Sequence, residues 1–74
     1  MGLTVKPQEM IDFLESKGYT FVRQNGTSHK IYGNGAHSVP LPIHSSKEYD
    51  SKFISLILRE TRIDKKELLD FIRR

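Results

Sequence analysis

Two turn signals, Asn25-Gly26 and Gly33-Asn34-Gly35, constrain this chain more than any other feature. Asparagine and glycine tolerate positive φ, which tight hairpin turns need. The run between them, Ser28 to Tyr32, is as short as a strand and sets Ile31 and Tyr32 on opposite faces. Tyr19 to Gln24 before it and Ala36 to about Leu41 after it are rich in β-branched, aromatic or alternating apolar residues. The prediction is a three-stranded antiparallel meander. Pro40 and Pro42 cannot donate ladder hydrogen bonds, so the third strand is an edge or frays beyond Val39. A hairpin centred near residue 34 places His29 roughly opposite Val39. His37 then sits diagonal to His29 on the same face, on the order of 7 Å away.

Helical periodicity flanks this sheet. Met10, Ile11, Phe13 and Leu14 share one stripe between Pro7 and Lys17. Pro7 suits the first turn, Glu9 and Lys17 complement the dipole, and Gly18 suits the position just past the end. Phe53, Ile54, Ile57 and Leu58 mark a second helix from about Lys52 to Thr61, capped by Asp50 or Ser51. Asp64-Lys65-Lys66-Glu67 resembles a capping box opening a third, from Lys65 to about Arg73, with Leu68, Leu69 and Ile72 turned inward. Residues 1–74 therefore read as a single α+β domain of order αβββαα. Its three-stranded antiparallel sheet has helices packed on one face and the other face partly open.

With 74 residues the core is thin, and without cysteine neither disulfides nor thiolate metal sites reinforce it. No apolar run approaches a membrane span, and the amino-terminal residues lack the apolar core of a signal peptide. The expected location is the cytoplasm, away from any membrane. The net charge of +3 is unevenly placed: residues 1–16 carry −2, residues 17–59 carry +4 and residues 60–74 carry +1. The basic middle, which also holds all three histidines, favours a polyanion as partner. A solvated surface of mixed charge would look the same from charge alone.

The inventory excludes most catalytic constellations. There is no thiol nucleophile, and Gly33-Asn34-Gly35 lacks the lysine and helix start of a phosphate loop. A metal site built on His29, His37 and His44 would require a bend that the sequence does not show, so no metal or other cofactor is expected. One metal-free chemistry fits what is left, beside the plain alternative that His29 is an ordinary exposed strand residue. RNA carries its own nucleophile, the 2′-hydroxyl, once a base takes its proton, and a histidine with a pKa of about 6.5 suits that step. DNA lacks this hydroxyl and is excluded as a substrate. His29, where turn meets strand, is the candidate catalytic group. Arg23, Lys30, Lys47 and Lys52 are candidates for holding the phosphate, with Ser28 and the backbone at Gly26 adding hydrogen bonds. Each lysine taken singly is an ordinary solubilising residue. Tyr19 and Tyr32 could stack bases, but aromatics in so small a domain more often belong to the core.

The pattern Gly18-Tyr19…Arg23-Gln24…Gly26…Ser28-His29…Tyr32, followed by Val39-Pro40…His44…Lys47-Glu48, resembles the HicA family of bacterial toxins. Its most specific part is the Gly-Ser-His motif after an arginine-ended strand; here Thr27 stands between Gly26 and Ser28. The resemblance implies a double-stranded-RNA-binding-domain-like fold and an mRNA interferase activity. It also implies a partner antitoxin, HicB, and a catalytic role for His29. A toxin of this kind is expected to be monomeric alone and hetero-oligomeric with its antitoxin. The alternative from another class is a non-catalytic RNA-binding module using the same basic surface. Cleavage that survives chelation and disappears in His29→Ala separates the two.

Overall fold

The computed structural model describes residues 3–26, 29–43 and 48–73. Helix α1 (Pro7–Ser16) starts on Pro7, and Glu9 accepts the backbone N–H of Lys6 at 3.1 Å. It ends as the sequence predicts. Gly18 adopts φ +91°, Tyr19 N–H reaches the Leu14 carbonyl at 2.9 Å, and Gly18 N–H reaches that of Glu15 at 3.1 Å. This pair of bonds satisfies carbonyls that the helix end would otherwise orphan.

Strands β1 (Thr20–Asn25), β2 (His29–Gly33) and β3 (Ser38–Pro42) form one antiparallel sheet in the order β1-β2-β3. Helix α2 (Ser51–Thr61) follows, capped by Asp50, whose carboxylate accepts the Phe53 N–H at 2.9 Å. Helix α3 (Lys65–Ile72) is capped by Asp64, which accepts from Lys66 N–H. The order is αβββαα, an α+β fold, as expected.

The second hairpin departs from the expected register. His29 pairs with Pro42, and the ladder continues through Ile31 with Pro40 to Gly33 with Ser38. The cause is Asn34. Its Oδ1 accepts the N–H groups of Ala36 (2.9 Å) and His37 (2.7 Å), and its own N–H bonds to the His37 carbonyl at 3.1 Å. The turn therefore spans Asn34 to His37, and β3 begins two residues later than expected. His37 does not approach His29 diagonally; the two lie at opposite ends of the hairpin. Counting alternate pairs from the Asn34–His37 bond puts Pro40 and Pro42 at non-hydrogen-bonded sites, where their missing N–H costs β2 nothing. The strand thus continues through both prolines as an edge instead of fraying.

The first hairpin carries a bulge between Phe21 and Arg23, so Val22 is the extra residue of β1. Tyr32, Val39 and Leu41 face the helices and join Met10, Phe13, Leu14, Ile54 and Leu68 in the core. Phe13 and Phe71 meet edge-on with centroids 5.5 Å apart, and an ion pair between Lys17 and Glu67 spans the same α1–α3 seam. A bridge between Val5 and Tyr49 (N···O 3.1 and 2.8 Å) ties the segment before α1 to the one before α2. No described helix is long and apolar enough to cross a membrane.

Candidate nucleic-acid interface on the open sheet face

Strand alternation decides which sequence-predicted residues meet. Tyr32, Val39 and Leu41 point to the helices, so His29, Ile31 and Gly33 of β2, with Ser38, Pro40 and Pro42 of β3, point to the uncovered face. On β1, Arg23 pairs with Ile31 and Asn25 with His29. His29 is thus flanked by Asn25 and Pro42, and the adjoining row on the same face is Arg23, Ile31 and Pro40. Both His29 and Arg23 are exposed. Gly26, at φ +73°, closes the turn beside them with a geometry other residues adopt only under strain.

The remaining candidates disperse. Lys30 is half-buried on the helix side of the sheet, paired with Gln24 and Leu41. Lys52 lies in the first turn of α2, in a shallow groove with Phe53, Leu56 and Arg59. Ser28, His44 and Lys47 lie outside the described residues. Among the described residues no cluster of three histidines, aspartates or glutamates could hold a metal. Among the described residues, the two rows at this end of the open face bring together the His29 imidazole and the Arg23 guanidinium.

Tyr19 and Tyr32 are core residues, 2% and 6% exposed, so neither presents a ring to a base. Burial raises both hydroxyl pKa values above 10, and Glu15 adds to the effect at Tyr32. Tyr49 received no role from the sequence. It is buried, its ring lies 4.9 Å from that of Phe53, and its hydroxyl donates to the Pro42 carbonyl at 2.8 Å. Burial foremost, then Tyr32, pushes its pKa up to about 12, so the hydroxyl stays a donor at any physiological pH. Nothing local in sequence announces this contact, because Tyr49 and Pro42 meet across a loop.

Fold and face together define a class: a small αβββαα domain whose helices cover one side of a sheet and leave the other free, with a histidine and an arginine on it. A family model described as HicA toxin of bacterial toxin-antitoxin matches residues 7–63, well over half the chain. The chain belongs to this HicA toxin family, and hence to the toxins of toxin–antitoxin systems. Membership implies an antitoxin partner. Comparisons with curated proteins and with solved structures give no match.

Proposed function

We propose that this toxin is a metal-independent endoribonuclease that blocks translation by cutting mRNA, with His29 as its catalytic base. The observation that carries the reading is the placement of His29, exposed at the end of a paired strand, one ladder row from Arg23 on the sheet face that no helix covers.

In the proposed reaction the His29 imidazole takes the proton of a ribose 2′-hydroxyl. The 2′-oxygen attacks the adjacent phosphorus, and the bond from phosphorus to the 5′-oxygen breaks. Water on this exposed face returns a proton to the leaving oxygen. The products are a 2′,3′-cyclic phosphate and a 5′-hydroxyl. The Arg23 guanidinium, a fixed planar donor, holds the non-bridging oxygens and stabilises charge that builds on them. The backbone at Gly26 and the hydroxyl of Ser28 are the proposed further hydrogen-bond donors to the phosphate. Lys30, Lys47 and Lys52 add to the positive field that attracts the polyanion. A HicB-type antitoxin neutralises the activity by laying an acidic, shape-matched surface over the open face.

The test is RNA degradation by the purified protein in excess chelator, comparing wild type with His29→Ala. The reading predicts cleavage by wild type and none by the variant. Intact RNA with retained, salt-sensitive binding by both would instead support a non-catalytic RNA-binding module.

A further inference from the structure

A concavity of about 280 Å³ opens on the same sheet face, at the turn end of the β2–β3 hairpin. Val22, Arg23, Ile31, Gly33, His37 and Ser38 line it. We propose that it is a subsite for one nucleotide adjoining the scissile phosphate, with the base seated between Ile31 and His37. This inference rests on the ribonuclease reading and extends it to a part of the face with no assigned role.

Position is the first argument. Ile31 and Arg23 lie two residues along their strands from His29 and Asn25, roughly 7 Å at the ordinary strand rise. A chain cut at His29 and crossing Arg23 runs directly into the concavity. The lining is the second. Ile31 lines the concavity and stands outside the core cluster, so it supplies an apolar floor on the open side. Arg23, His37 and Ser38 add polar groups around it. An apolar floor with a polar rim is the chemistry that accepts a flat base and reads its edge.

Shape is the third argument. The walls close in this tightly only because residue 33 is glycine: a Cβ there would lie 3.2 Å from the His37 carbonyl oxygen and 3.2 Å from Val22 Cγ2. The bulge supplies Val22, and the Asn34 hydrogen bonds fix the turn that carries His37. The walls are therefore set before a ligand arrives, which lowers the ordering cost of binding. The volume lies just below the ~300 Å³ at which small-molecule pockets begin, enough for one base and too small for a helix of a protein partner.

The experiment measures kcat/KM on a dinucleotide and on trinucleotides extended by one residue on either side. Wild type, His37→Ala and Ser38→Val are compared, with melting temperatures as the folding control. Both side chains are exposed, and His37→Ala keeps the backbone N–H that Asn34 accepts. The expected result is a gain of about tenfold on one extension in wild type, the size of one stacked base. That gain falls to less than about threefold in either variant. No gain in wild type, or an equal gain in all three proteins, overturns the subsite while leaving the nuclease intact. Failure of wild type to cut any RNA overturns the ribonuclease reading and the subsite together.

Discussion

Tyr49 donates its phenolic hydrogen to the carbonyl of Pro42 at 2.8 Å, and Pro42 is the ladder partner of His29. A buried ring before α2 thus fastens the end of the edge strand beside the proposed catalytic imidazole. Edge strands fray from their ends, and β3 is bonded to a neighbour on one side only. The Tyr49 hydroxyl supplies a hydrogen bond from outside the sheet.

Removing only that hydroxyl tests the arrangement. Tyr49→Phe keeps the ring against Phe53 and loses the bond, so a loss of about 1 kcal/mol is expected in denaturant melts. Amide exchange at Lys30 and Leu41, a hydrogen-bonded pair of the β2–β3 ladder, should quicken more than exchange in α1. Equal exchange in wild type and variant would show that β3 holds without the contact.

Alkaline pH should attack the same anchor. The Tyr49 hydroxyl titrates near 12 in the folded protein against 10 when unfolded, so between these values the unfolded chain has released a proton that the folded one keeps. The stability from its burial is complete below pH about 10 and is lost as pH rises towards 12. Tyr19 and Tyr32 shift in the same direction and steepen the loss. Melting temperature should fall across this window, and fall less in Tyr49→Phe. An identical fall in both would remove Tyr49 from the explanation.

Arg23 is expected to act on binding through phosphate. Arg23→Gln should weaken RNA association by a similar factor for all sequences and lower the slope of log affinity against log salt by about 1. Its side chain is exposed, so stability should change little. An unchanged salt slope would place the phosphate elsewhere.

The helices were legible because each carries its own signals. Apolar spacing marks their inward faces, Asp50 and Asp64 cap as acidic residues do, and Gly18 takes a φ that few others accept. The open face was legible as well, since period-2 alternation follows from any sheet covered on one side only. The register of the second hairpin was not. Gly33-Asn34-Gly35 reads as the centre of a turn, but the Asn34 side chain binds the N–H groups of Ala36 and His37 and lengthens it. The bulge at Val22 has no mark in a strand of apolar and polar residues that are all exposed. His29 and Lys30 are neighbours in sequence, yet adjacent strand residues face opposite ways, so Lys30 leaves the company of His29.

The antitoxin should shield His29. Diethyl pyrocarbonate is expected to modify His29 readily in the free toxin and slowly in the complex, as read at that residue by mass spectrometry. Equal modification rates would mean that inhibition leaves the imidazole open and works through other contacts.

The most direct test uses a DNA oligonucleotide carrying a single ribose, incubated in chelator with wild type or His29→Ala. Wild type is predicted to cut only on the 3′ side of that ribose and to leave a 2′,3′-cyclic phosphate. His29→Ala is predicted to be slower by at least about 100-fold, the lower bound for loss of a positioned base. Cutting at a deoxyribose, or a variant as fast as wild type, would contradict the account.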